Sequence, residues 1–147
     1  MDAVQMLKDD HQKVKGLFKK FEKAEGREQK QIAEQVFQEL EVHSKIEEEI
    51  FYPAVKRKAD EEGKELVAEA VEEHHVIDVL IKEMKAMRSI DEQYKAKFTV
   101  LQENVEHHVE EEEGEMFPDA KKLLGDDIEK LGERMDKRKQ ELMAAVS

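Results

Sequence analysis

The sequence predicts an all-α protein, an up-down-up-down four-helix bundle with an additional C-terminal helix. Three observations carry this. Charged residues make up 42% of the 147 positions and aromatic ones only 5%, with two prolines and six glycines. That mixture suits amphipathic helices and argues against a sandwich or barrel, which needs aromatic and β-branched strands between frequent turns. Apolar residues recur at steps of three and four, the spacing of one helix face. The breaks between the stripes are short, so successive helices must run antiparallel. The length is that of one hydrophobic core.

Each element has its own stripe. The first reads Val4, Leu7, Val14, Phe18 and Phe21, with His11 filling the gap. The second reads Ile32, Val36 and Leu40, then His43 and Glu47, then Ile50 and Ala54. The third reads Val67 and Ala70, then His74, then Ile77, Ile81 and Met84. The fourth reads Tyr94, Phe98, Leu101 and Val105, then His108 and Glu112. A fifth, weaker stripe is Ile128, Leu131, Met135 and Leu142. Glu25-Gly26-Arg27 and Asp60-Glu61-Glu62-Gly63 separate the first three, and Ser89 or Asp91 is placed to cap the fourth. Gly125-Asp126-Asp127 opens the fifth. This divides the chain into a bundle over 1–125 and a C-terminal helix over 126–147, to which no chemistry is assigned. Pro53 and Pro118 fall late in the second and fourth helices, where a proline kinks or ends a helix.

Composition excludes several functions. There is no cysteine, hence no disulfide scaffold, thiolate-bound zinc, iron–sulfur cluster or thiol nucleophile. A net charge of −12 opposes binding to nucleic acid or to an anionic membrane. No apolar run approaches the ~20 residues that span a bilayer. The start, Met1-Asp2-Ala3-Val4, lacks the basic and apolar regions of a signal peptide. The expectation is a cytoplasmic protein. No His-Glu-x-x-His motif or phosphate-binding glycine loop is present. A ferritin-like site needs two Glu-x-x-His motifs, and only Glu72 to His75 has that spacing.

A repeat underlies the stripes. His43 and His108, Glu47 and Glu112, and Pro53 and Pro118 are each 65 residues apart, and His11 and His74 are 63 apart. Each half is a helical hairpin carrying one histidine, then His-x-x-x-Glu. The six polar residues His11, His43, Glu47, His74, His108 and Glu112 occupy apolar stripe positions at matching distances from the loops, which places them in one layer of the core. Two carboxylates buried together need a positive charge, and no Lys or Arg shares their stripe positions. A cation is therefore required, and His plus Glu donors suit iron, manganese or zinc. His-x-x-x-Glu sets both side chains on one face a turn apart, so each Glu can reach two metals while its His reaches one.

The stretches Asp10-His11, His43 to Pro53, Glu73-His74 and His108 to Pro118 resemble the hemerythrin-like (HHE cation-binding) domain over about residues 1–125. The resemblance implies two iron ions, oxo- or hydroxo-bridged, with Glu47 and Glu112 as bridging carboxylates. It implies small-molecule partners: dioxygen, peroxide or nitric oxide. This sequence departs from the oxygen carriers of that family. They have a second histidine one turn along the third helix, where Asp78 and Ala70 flank His74 at four residues. They also have His-x-x-x-x-Asp in the fourth helix. On two six-coordinate irons, four His, two bridging carboxylates and the bridging oxo or hydroxo group leave two coordination positions open, one more than in a carrier. That favours a peroxide- or dioxygen-reacting, catalase-like centre over reversible dioxygen binding, sensing or iron buffering. Tyr52 is the candidate for a further ligand or an outer contact, turned towards the site by Pro53. His75 and His107 point about 100° away from their neighbours, towards solvent. The acidic runs Glu48, Glu49, Glu110, Glu111 and Glu113 read as a solvated face.

Overall fold

The computed structural model describes residues 1–146. It contains helices α1 (Ala3–Lys23), α2 (Gly26–Ile46), α3 (Tyr52–Lys58), α4 (Glu61–Lys85), α5 (Glu92–Glu111), α6 (Phe117–Leu124) and α7 (Asp127–Val146). Among the described residues there is no strand. Asp2, Asp60 and Asp91 cap α1, α4 and α5, their carboxylates accepting backbone N–H bonds of 2.8–2.9 Å. Asp91 rather than Ser89 is the cap the fourth stripe uses.

The two prolines are absorbed in the same way. A π-helical turn, Glu47–Phe51, joins α2 to α3, and another, Glu112–Met116, joins α5 to α6. In each the chain closes with an i→i−5 bond, from Tyr52 N–H to Glu47 O and from Phe117 N–H to Glu112 O. Widening the turn makes room for the proline ring that follows, so both helices continue instead of stopping. Each π turn begins at a buried glutamate of the polar layer, in keeping with the frequent use of such turns at functional sites.

The layer divides the core in two. On one side lie Val4, Leu7, Ile46, Phe51, Val55, Val67, Met116 and Phe117, with Leu131 and Met135 of α7. On the other lie Val14, Phe18, Phe21, Val36, Phe37, Leu40, Ile77, Ile81, Phe98, Leu101 and Val105. α7 rests on the start of α1. A Cβ on Gly132 would stand 2.8 Å from the Ala3 nitrogen, so only glycine permits that approach. Two further contacts tie α7 to the bundle: Lys139 to Asp10 at 2.6 Å and Arg138 to Glu49 at 2.8 Å. Among the described residues no helix is long and apolar enough to cross a membrane.

Candidate metal centre

The six polar residues come from α1, α2, α4, α5 and the two π turns and meet in the core, all of them buried. Glu47 and Glu112 are 0% and 1% exposed, which puts both carboxylates out of reach of bulk water. The donors fall into two groups, each with its atoms within 4.8 Å of one another: His11, His43 and Glu112, and Glu47, His74 and His108. The carboxylates tie the groups together. Glu47 Oε1 stands 3.2 Å from His43 Nε2 and 3.0 Å from His74 Nε2. Glu112 Oε1 stands 3.3 Å from both His11 Nε2 and His108 Nε2. Each glutamate thus faces a histidine of either group.

The fit of a metal rests on atoms that find no other partner. His11 Nε2, His43 Nε2, Glu47 Oε2 and Glu112 Oε1 are buried without a hydrogen bond. The His11 Nε2–Glu112 Oε1 and His43 Nε2–Glu47 Oε1 contacts, 3.3 and 3.2 Å, lack hydrogen-bond alignment. Separations near 3 Å are those of neighbouring donors on one ion with bonds of about 2.1 Å. Orphaned buried donors are rare in proteins and cost free energy unless a cation satisfies them.

Four outer carboxylates hold the rings. His43 Nδ1–H donates to Asp10 at 3.1 Å and His74 Nδ1–H to Glu48 at 3.1 Å. His108 Nδ1–H donates to Glu73 at 2.6 Å and His11 Nδ1–H to Glu113 at 2.7 Å. The four bonds form a closed circuit. α1 supports the ring of α2, the π turn after α2 that of α4, α4 that of α5, and the π turn after α5 that of α1. A proton held on Nδ1 turns the Nε2 lone pair inward, as metal-bound histidines require.

Electrostatics in the metal-free site follow from this packing. Burial pulls the His43 imidazole down, but the charge of Glu47 and the bond to Asp10 outweigh it, and the ring is pushed up to about 10. Burial likewise opposes His108, yet Glu112, Glu47 and Glu73 push it up to about 12. Burial would raise Glu47, but the His43 charge and neighbouring bonds hold it well below the usual carboxylate range. Without metal, protons on these rings offset the carboxylates.

Tyr52 reaches the centre. Its hydroxyl donates to Glu112 Oε2 at 2.6 Å and lies 3.3 Å from His74 Nε2 and 3.4 Å from His108 Nε2. Burial, then the charges of Glu47 and Glu112, raise the phenol well above its ordinary value, so it stays protonated. Its repeat partner is Phe117, which stacks on His11 with ring centres 5.7 Å apart. Tyr52 stacks on His74 at 5.5 Å. At this pair of positions the two halves of the site differ by one hydroxyl.

His75 and His107 are exposed, as expected from their positions. Asp78 lies outside both groups of donors. Glu48 and Glu113 are not the free solvated acids that the acidic runs suggested, since each holds a histidine. Asp10 and Glu73 were likewise without a role in the sequence reading. One signal was available: each of the four adjoins a residue of the polar layer. A neighbour lies about 100° round its helix, and so faces the adjacent helix in the bundle.

A helical bundle with two buried His/Glu clusters of this chemistry is a metal-binding bundle. The chain belongs to the hemerythrin family: the hemerythrin HHE cation binding domain matches residues 2–120. Protein Rv2633c of Mycobacterium tuberculosis is 27% identical over 146 residues, covering 97% of this chain and 88% of that protein. A hemerythrin-like protein of Schizosaccharomyces pombe is 28% identical over 89 residues, covering 60% of this chain and 44% of its own length. A crystal structure of an HHE cation-binding domain protein from Mycobacterium kansasii, a homologue of Rv2633c, superposes with a TM-score of 0.85. It is 25% identical, and the match covers 99% of this chain and 89% of that one.

Proposed function

We propose that this protein is a non-haem di-iron protein that decomposes hydrogen peroxide to water and dioxygen. His11 and His43 would hold one iron, His74 and His108 the other, and Glu47 and Glu112 would bridge them. The carrying observation is that each glutamate stands 3.0–3.3 Å from a histidine of both groups. Bound iron would supply the reversible one-electron changes that peroxide disproportionation needs.

The residues of the chain do the rest. The four outer carboxylates hold the imidazoles at fixed angles. Burial of the layer excludes bulk water. The Tyr52 hydroxyl keeps a proton at 2.6 Å from Glu112, beside the His74–His108 half. Four histidines and two bridging carboxylates leave open positions for a peroxide. One observation also favours reversible dioxygen binding: a cleft with six apolar side chains meets the four histidines, and dioxygen is an apolar diatomic.

The test is metal content and the absorption spectrum of protein purified without chelator, followed by an oxygen electrode on adding peroxide. About two irons per chain with oxygen release, lost in Glu47→Ala, is the expected result. Two irons with a reversible dioxygen adduct and no peroxide turnover would move the reading to a carrier or sensor. A folded protein with no metal would overturn it.

A further inference from the structure

The donor layer is approached from one side by a cleft of about 410 Å³. It opens along the seam between α1 and α5. α1 packs closely on α2 and α4 on α5, while the α1–α5 seam is looser. The walls are Val14, Phe18, Leu40, Ile77, Val105 and Val109, and the inner end is formed by His11, His43, His74 and His108. His11 and His43 contribute the buried, unpartnered Nε2 atoms described above. Gln12, Lys15, Glu106 and Glu110 are the exposed lining residues, and Asp10, Ser44 and Glu113 complete the lining.

The size does not match hydrogen peroxide. A two-atom molecule needs roughly the ~30 Å³ of a water. Pockets for organic ligands begin at about 300 Å³. Six apolar side chains line the cleft, so a chain of carbon atoms can bury surface there. The inner end wants an oxygen donor. The exposed lining carries Glu106 and Glu110 against Lys15, which repels an anionic head group and favours a neutral one.

We infer that this cleft binds the hydrocarbon part of a short-chain alkyl hydroperoxide, ROOH, with its peroxide end against the four imidazoles. The inference rests on the peroxide-reacting reading for its chemistry and on the cleft alone for its binding. The step balances with hydrogen peroxide as the reductant: ROOH + H₂O₂ → ROH + H₂O + O₂. The O–O bond of ROOH breaks and takes up two electrons and two protons. Hydrogen peroxide loses the same two electrons and two protons and leaves as dioxygen.

The binding test uses the metal-loaded protein and the linear alcohols from ethanol to 1-hexanol, read by calorimetry. Affinity should rise about fourfold per methylene, the factor for burying one CH₂ group, until the cleft is full. Val105→Phe, which fills the cleft, should abolish the rise and slow loss of 1-butyl hydroperoxide at least tenfold. Metal content should stay within twofold of the parent, and hydrogen peroxide turnover should fall less than that of 1-butyl hydroperoxide. Val14→Ala, which enlarges the cleft, should move the tightest alcohol to a longer chain. Binding independent of chain length, or unchanged in both variants, overturns the inference. If the parent turns over no peroxide of either kind, the peroxide-reacting reading fails, while the alcohol series still decides whether the cleft binds a chain.

Discussion

At the scale of single residues, one hydroxyl separates two nearly equivalent half-sites. Tyr52 and Phe117 are 65 residues apart and both stack on a layer histidine, but only Tyr52 has a proton to give. Tyr52→Phe would remove that proton. We expect it to fold and keep its metal, and to lose about 10–100-fold in peroxide turnover, the usual scale for losing an outer contact at a metal site. Oxygen-electrode rates on protein of measured iron content check this. The histidines set a pH dependence as well. In the metal-free protein His43 holds its proton up to about 10, while in the unfolded chain it is released near 6.5. Its contribution to stability is thus complete below 6.5 and lost as pH rises towards 10. Metal must displace that proton, so iron or zinc affinity should rise over the same range and proton release should accompany binding. Denaturant unfolding of the metal-free protein, and metal titration at pH 6.5 and 9, should show the two opposite slopes. The six layer residues were legible because a polar side chain in an apolar stripe is conspicuous. Asp10, Glu48, Glu73 and Glu113 were not. Each sits off its own stripe, and a single sequence cannot tell a solvated acid from one facing a neighbouring helix.

At the scale of elements, the π turns and α7 position the site. The prolines were visible, but not that the helix would widen at Glu47 and Glu112 and continue. That outcome depends on packing downstream, where Tyr52, Val55, Phe117 and Ala120 are buried and keep α3 and α6 in place. α7 has a part that its weak stripe does not suggest. Lys139 Nζ lies 2.6 Å from Asp10 Oδ1, and Asp10 Oδ2 accepts the bond from His43. A cation on the last helix thereby steadies a proposed ligand on the second. Lys139→Ala should weaken metal binding about 10-fold or more, as loss of an outer contact does. The loss should fall on the His11–His43 half, and Lys139→Arg should restore it. Competition with a chromophoric chelator, resolving the first and second metal equivalents, measures this. Equal weakening of both equivalents would point to general loosening of α7.

At the scale of the whole molecule, the metal layer divides one core into two apolar halves. Each half alone is small, and the layer between them is polar. The cation should therefore hold the halves together, and removing it should lower the melting temperature. Binding at 100 times the dissociation constant is worth about 2.7 kcal/mol per site, equivalent to several degrees for a domain of this size. Scanning calorimetry with and without a chelator checks the direction. A melting temperature unchanged by chelation would mark the layer as self-sufficient.

The sequence by itself determined the helical class, the number of stripes, the 65-residue repeat and the six residues of the layer. These follow from periodicity along a helix, which is local and is written in the order of residues. Only the tertiary structure decided how the four outer carboxylates close their circuit, where the Tyr52 hydroxyl points, that Lys139 reaches Asp10, and that a cleft opens at the α1–α5 seam. Those depend on how far each helix is turned about its own axis against its neighbours. That rotation is set by the simultaneous packing of side chains from distant parts of the chain.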